Sequence, residues 1–126
     1  MGIVYTPIKV RNPNLDEPAT EMQAKLDTGA TMLVLPAELV KQYRFVVIRR
    51  QTVKYANEDT AERDVVGMVE VEICGRKGWF EAIVEPKRGY PLIGAVVMES
   101  LDLIVEPRGL GVYPNPRSVQ PMAEVE

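Results

Sequence analysis

Alternation of apolar and polar residues with a period of two limits most strongly how this chain can fold. The pattern is clearest in residues 69–73, where valine and isoleucine alternate with glutamate. A strand places successive side chains on opposite faces, so such a segment buries one face and exposes the other. Residues 75–78 begin and end with glycine and lead into a second apolar run, residues 79–84. We therefore predict a strand, a turn and a returning strand here, in a mainly β protein.

Shorter apolar runs between turn-forming residues predict the other elements. Pro36 suits the first turn of a helix, and the residues after it predict a short helix over 36–43. The i, i+4 spacing of Val97 and Leu101 predicts a second short helix. A polar stretch, residues 56–63, predicts the tip of a hairpin. We predict the remaining strands over residues 3–10 with a break near Pro7, and over 22–26, 32–35, 46–48, 52–55 and 103–105.

The length and the net charge of the chain limit the classes of protein to which it could belong. A chain of 126 residues is long enough for one domain, which we place at residues 1–113, followed by a flexible polar tail at 114–126. The net charge of −3 and the scattered lysines and arginines argue against a nucleic-acid partner. Residues 1–10 are too mixed in polarity for a signal peptide, and no apolar run could span a bilayer. We therefore expect no membrane partner and a cytoplasmic location.

The chain contains no histidine, and this restricts its chemistry. Serine–histidine and cysteine–histidine nucleophiles, histidine-containing zinc sites and imidazole acid–base catalysis are all excluded. We expect neither a metal nor a cofactor, so carboxylates, lysine or tyrosine would carry any proton transfer. The single cysteine, Cys74, cannot form an internal disulfide, and we expect it to be a small buried thiol.

The candidate catalytic residue is Asp27, which follows a half-buried strand directly. Gly29 lacks a Cβ and so permits a tight turn, while Thr28 supplies a hydroxyl that can hydrogen-bond within or across the loop. Asp-Thr-Gly is also an ordinary turn sequence. Two features favour a catalytic loop: apolar strands flank it on both sides, and a second element precedes a short helix later in the chain. That second element consists of Leu92, Ile93 and Gly94.

Together these motifs resemble the retropepsin-like aspartic proteases, the single-domain, dimeric type found in retroviruses and in small prokaryotic proteins. The resemblance covers most of residues 5–107. Asp27, Thr28, Gly29 and Ala30 match the catalytic loop of that family. The family's apolar pair and glycine correspond to Leu92, Ile93 and Gly94, which would support the loop structurally.

The resemblance implies a small, closed β-barrel of the acid-protease type, with a flap hairpin and one or two short helices. Residues 55–65 correspond to the flap in position. Its tip would contact substrate through Ala56, Asn57, Glu58 and Asp59, although a solvated hairpin tip is the alternative for charged residues. Trp79 and Tyr90 could line the cleft, but we expect them to pack in the core.

Peptide hydrolysis by two carboxylates requires one as base and the other, protonated, to polarise the carbonyl group. One loop per chain and no internal repeat therefore predict a homodimer with two Asp27 side chains and a peptide or protein substrate. By resemblance, Thr28 would bond to the opposite loop. The charged flap lacks a glycine-rich tip, and the chain continues past the family's last strand. A catalytically silent dimer for peptide binding or assembly, and a plain β-barrel with an incidental Asp-Thr-Gly, are the alternatives.

Overall fold

A computed structural model describes residues 3–106 and 111–117, which form mainly β-strands. The elements in chain order are β1 (Val4–Arg11), β2 (Thr20–Leu26), β3 (Leu33–Pro36), α1 (Ala37–Gln42), β4 (Val46–Lys54), β5 (Thr60–Ile73), β6 (Arg76–Glu85), β7 (Leu92–Ile93), α2 (Ala95–Ser100), β8 (Leu103–Val105) and β9 (Val112–Pro114). Within these described ranges, no helix is long and apolar enough to cross a membrane.

Six strands close into a barrel in the order β1-β2-β7-β3-β6-β5, because β1 pairs with β5 as well as with β2. Closure gives each of these strands a partner on both sides over part of its length, which removes open sheet edges. Alternating side chains fill the interior, including Ile8, Leu35, Val69, Val71 and Ile93, each at most 1% exposed. The predicted mainly β, closed barrel is confirmed.

The β4–β5 hairpin extends beyond this ring. β4 pairs with residues 60–67 of β5, from Val46 opposite Gly67 to Lys54 opposite Thr60. Seven of the nine β4 residues are exposed, so both faces of this strand are open to solvent. The predicted break between two strands within residues 46–55 is wrong. No buried face forces these side chains to alternate in polarity, so the sequence lacks the pattern that would indicate a continuous strand.

The predicted interruption of the first strand at Pro7 is also wrong. β1 runs through it, with Pro7 opposite Gln23 of β2. Pairing of β1 with β5 is confined to Lys9, Val10 and Arg11. Proline lacks an amide hydrogen, and the sheet tolerates it here because β1 at this point is paired on one side alone.

Three side chains expected in the interior are exposed. Trp79 is 56% exposed and Tyr90 37%, and Cys74 lies exposed in the β5–β6 turn with a φ of 54°. Strand alternation explains the tryptophan: its neighbour Phe80 points into the core, so Trp79 points outward and donates to Glu70 Oε1 at 3.1 Å. For these residues, the position in the strand or turn decides exposure to solvent more than the apolar character of the side chain does.

Arg76 connects the barrel to the C-terminal β8–β9 pair. It is 7% exposed, and its Nη1 donates to the carbonyl oxygens of Leu101 and Asp102 at 3.0 and 2.9 Å. Its Nη2 donates to Asn115 O at 3.2 Å, and Asn115 N donates to Asp102 O at 3.0 Å. These hydrogen bonds reach Asn115, one residue past the end of β9 at Pro114. The boundary proposed at residue 113 remains a prediction, and residues 118–126 of the predicted tail lie outside the described part of the chain.

Candidate active site

The Asp27 loop is fixed by its own backbone. Asp27 follows β2 and donates its N–H to Ile93 O at 3.0 Å, while Ala30 N donates back to Asp27 O at 3.0 Å. Gly29 N donates to the carboxylate oxygen Asp27 Oδ1 at 3.0 Å. Asp27 is half-buried, and Thr28 and Gly29 are exposed. The loop therefore presents one oriented carboxylate at the surface of the barrel.

Gly29 is favoured by a close approach to Asp27 rather than by an unusual backbone angle. Its φ lies outside the left-handed region, and a Cβ at this position would lie 3.2 Å from Asp27 Oδ1. A side chain here would press on the carboxylate that the Gly29 amide holds. The sequence argument selected the right residue, and the structure supplies a different physical reason for it.

β7 lies between the two strands that flank the loop. It runs parallel to β2, with Leu92 opposite Lys25 and Ile93 opposite Leu26, and antiparallel to β3, where Leu92 faces Val34. Both β7 side chains are buried. Because β7 bonds to the strand that enters the loop and to the strand that leaves it, both ends of the loop are held by the same short element.

Gly94 brings helix α2 against the loop backbone. A Cβ on it would lie 2.5 Å from Met32 O and 2.8 Å from Ala30 O, distances that real Cβ atoms do not adopt. The first turn of α2 has no side-chain cap. Instead, Ala95 N donates to Ala30 O and Val96 N to Thr31 O, each at 2.9 Å. The loop carbonyls thus satisfy amides that a helix start leaves unpaired.

A pocket of about 490 Å³ opens between the base of the hairpin turn and the loop that precedes β7. Tyr55 lines it from the hairpin, and residues 85–90 line the opposite side. Tyr90 stacks edge-on against Tyr5 at 6.0 Å between ring centroids. Lys25 N, two residues before Asp27, donates to Pro91 O at 2.9 Å. The pocket wall is therefore continuous along the chain with the strands that hold Asp27.

A three-residue cluster attaches the hairpin to the barrel. Tyr55 Oη donates to Glu85 Oε2 at 2.6 Å, and Arg63 Nε lies 3.0 Å from Glu85 Oε1 and 3.1 Å from Tyr55 Oη. Desolvation raises the pKa of Tyr55, and its bond to Glu85 acts in the same direction. The bond to Glu85 also raises the pKa of Arg63. Tyr55 and Arg63 thus both bond to the Glu85 carboxylate and join the hairpin to the end of β6.

The predicted flap residues occupy the exposed turn of the hairpin. Tyr55 N donates to Asp59 O. The Asn57 side chain donates through Nδ2 to Asp59 Oδ2 and accepts from Asp59 N through Oδ1. Glu58 has a φ of 70°, and its carboxylate lies 3.8 Å from Lys54 Nζ. Ala56 is exposed with the rest. The polar and charged residues of this segment therefore stabilise the turn. Contact between substrate and the four tip residues remains a prediction.

The site offers carboxylate chemistry from one residue per chain. The Thr28 side chain is exposed, and its hydroxyl has no hydrogen-bond partner among the residues described. Within residues 3–106 and 111–117, no group of three or more acidic or sulfur side chains is placed to hold a metal ion. Sequence reasoning did not identify the contact of Tyr55 and Arg63 with Glu85, because Glu85 lies more than 20 residues further along the chain and the three form no local motif.

Comparison with known proteins gives structural matches alone. No family model and no curated protein sequence matches the chain. Among solved structures, the protease of simian foamy virus (mac) aligns with a TM-score of 0.52 and 21% identity, over 73% of this chain and 90% of that one. The foamy viral protease–reverse transcriptase in complex with an RNA/DNA hybrid gives a TM-score of 0.57 and 22% identity, over 76% of this chain and 11% of that one.

A third match covers more of the chain. The retroviral protease-like domain of Ddi1 from Leishmania major aligns with a TM-score of 0.63 and 13% identity, over 91% of this chain and 89% of that one. Identities this low establish similarity of fold alone. The fold is retropepsin-like, as the sequence motifs predicted.

Proposed function

From the retropepsin-like fold and its single Asp-Thr-Gly loop, we propose that the protein is a homodimeric aspartic endopeptidase. The observation that carries the proposal is the Asp27 carboxylate, oriented by the Gly29 amide in a loop that β7 and α2 hold by backbone hydrogen bonds. A rigidly placed carboxylate at a surface opening suits acid–base work on a bound peptide.

The reaction requires two such carboxylates, so the second is the Asp27 of another copy of the chain. The ionised carboxylate takes a proton from a water molecule, and the resulting hydroxide attacks the peptide carbonyl carbon. The protonated carboxylate donates its proton to the carbonyl oxygen, giving a neutral tetrahedral diol. Transfer of a proton to the amide nitrogen then lets the C–N bond break, releasing an acid and an amine. The exposed Thr28 hydroxyl would bond to the opposite loop and hold the two loops in register.

The β4–β5 hairpin fits the role of a lid over the bound peptide. Strand β4 is exposed on both faces, and the turn of the hairpin is tied at Tyr55 to Glu85 of the barrel. A hairpin attached near its turn can cover a ligand that lies between it and the Asp27 loop.

Replacement of the catalytic carboxylate tests the chemistry. Asp27→Asn should abolish cleavage of a peptide library while the unfolding midpoint stays within the range of a surface substitution, since the amide keeps the shape and can still accept from Gly29 N. A statine-type inhibitor should block the wild type, because its hydroxyl mimics the tetrahedral intermediate. Cleavage that persists in a purified Asp27→Asn variant would refute the mechanism.

Assembly is tested separately by sedimentation equilibrium. We expect a homodimer at micromolar concentration. Asp27→Asn should dimerise at least as tightly as the wild type at neutral pH, because it removes repulsion between two like charges in the interface. A strict monomer would rule out a two-carboxylate site formed from two chains.

An exposed apolar groove supports the alternative of a catalytically silent dimer that binds peptides or partners. The groove has a volume of about 320 Å³, and its exposed apolar lining includes Met68, Trp79 and Val96, with Met32 beside them. Exposed apolar surface of this kind commonly marks a binding site. Peptide binding by the wild type with no cleavage at any pH, weakened by Trp79→Ala, would favour this alternative over the protease.

A further inference from the structure

The pocket between Tyr55 and the loop before β7 carries positive charge, against the sign of the whole chain. Three cations and one carboxylate line it, a balance of +2, whereas the full sequence has a net charge of −3. The carboxylate, Glu85, is already bonded to Arg63 and to the Tyr55 hydroxyl. Lys87 and Arg88 make no salt bridge within the described residues, so their charges remain open to a ligand.

Of Lys87 and Arg88, Arg88 gives the stronger indication of which ligand the pocket binds. Its Nε is shielded from solvent and lacks a hydrogen-bond partner among the described residues. Its guanidinium lies 5.8 Å from the centroid of the Tyr90 ring, which holds it over an aromatic face. A shielded donor without an acceptor is unfavourable, and a carboxylate is the acceptor that matches the forked guanidinium geometry.

We infer that this pocket binds an acidic side chain, Asp or Glu, of a peptide substrate, with Arg88 as the specificity-determining residue and Lys87 as a secondary contact. The inference rests on the proposed peptidase function for the identity of the ligand. Pro91 follows the pocket residue Tyr90 directly, and its carbonyl oxygen accepts from Lys25 N, two residues before Asp27. The pocket therefore adjoins the strand that leads into the Asp27 loop. The closed pair of Arg63 and Glu85 removes the one carboxylate that would repel an acidic side chain.

The test uses a positional-scanning library of fluorescein-labelled decapeptides, in which one position is fixed as Glu, as Gln or as Lys and the others are equimolar mixtures. Cleavage by the wild type is followed by mass spectrometry, and binding to the Asp27→Asn protein by fluorescence anisotropy. At one fixed position, Glu should be favoured over Gln by about tenfold, the size of one charge-assisted hydrogen bond. The preference should shrink as salt is raised, because the pocket is open to solvent.

Variants separate the pocket from the catalytic site. Arg88→Gln should bring the Glu-to-Gln ratio close to one in both assays, and Lys87→Gln should lower it less. Arg88→Glu should reverse the preference, favouring Lys over Gln at the same position. Lys41→Gln removes the same charge from an exposed helix position outside the pocket and should leave the ratio unchanged. Unfolding curves for all variants confirm that each is folded.

The two assays distinguish failure of this inference from failure of the proposed function. If no peptide is cleaved but the Glu preference appears in binding and disappears in Arg88→Gln, the pocket assignment stands and the peptidase does not. If peptides are cleaved with equal rates for Glu and Gln at every position, or if the ratio is the same in wild type and Arg88→Gln, the pocket assignment is overturned. Absence of measurable binding to any library member also overturns it.

Discussion

Replacing Gly94 by alanine should destabilise the protein strongly, although the change adds a single methyl group. The added Cβ would lie 2.5 Å from Met32 O, 2.8 Å from Ala30 O and 2.9 Å from the carbonyl carbon of Thr31. All three are backbone atoms, so no side chain can rotate away to make room. Relief requires α2 to move away from the Asp27 loop.

The cost follows from the bonds that this movement breaks. Ala95 N to Ala30 O and Val96 N to Thr31 O hold the helix to the loop, and each contributes about 1 kcal/mol net. Residual overpacking adds about 1–3 kcal/mol. We therefore expect Gly94→Ala to lower the free energy of unfolding by about 3–5 kcal/mol, a large part of the roughly 5–15 kcal/mol available to a domain.

Urea unfolding followed by circular dichroism measures this difference, with Gly89→Ala as the matched control. A Cβ at Gly89 would have no atom within 4 Å, and its φ is outside the left-handed region. The control should change stability little, or raise it by about 0.4–1 kcal/mol through the unfolded chain. A loss below about 1 kcal/mol in Gly94→Ala, the scale of an ordinary surface change, would refute the close-contact argument.

Further predictions concern the barrel. Arg11 and Trp79 hydrogen-bond to the buried Glu70 and lower its pKa in the folded protein. The ionised carboxylate therefore stabilises the fold at any pH above the ordinary glutamate pKa of about 4.3. This contribution is lost as the pH falls through the lower pKa of the folded state. Glu70→Gln should weaken the acid dependence of urea unfolding and cost about 1.5–3 kcal/mol at pH 7; an unchanged pH profile would contradict this. Arg76→Met should cost about 2–4 kcal/mol in the same assay by removing the guanidinium hydrogen bonds to the carbonyl oxygens of Leu101, Asp102 and Asn115, and a neutral result would mean that water replaces the guanidinium.

Local sequence patterns predicted the parts of the fold that depend on neighbours in the chain. The β5–β6 pair was visible because residues 69–73 bury one face and expose the other. The loop at Asp27 was visible because a strand leads into it and an apolar strand leaves it. β4 was not recognised as one strand because its exposed faces impose no alternation, and Trp79 was misplaced because composition does not reveal which face a residue occupies.

Long-range pairing supplied the rest of the candidate site. Leu92 and Ile93 were identified as support for the loop, but the sequence does not show that β7 lies between β2 and β3. Likewise, Tyr55 and Glu85 meet because β4, β5 and β6 are adjacent in the sheet, and no local pattern encodes that adjacency. The sequence therefore did not predict the pocket that these residues border, because the pocket depends on which strands are neighbours in the sheet.

The proposed catalytic loop and the proposed specificity pocket are held by different kinds of structure. Asp27 is held by bonds among backbone atoms of β2, β7 and α2, which most side-chain substitutions leave intact. Lys87 and Arg88 lie on a connecting loop, outside the barrel strands, and make no salt bridge within the described residues. Substitutions there can change which side chain the pocket accepts without moving the carboxylate. We therefore expect Gly94→Ala to lower the free energy of unfolding, and Arg88→Gln to lose the preference for Glu over Gln while the protein remains folded.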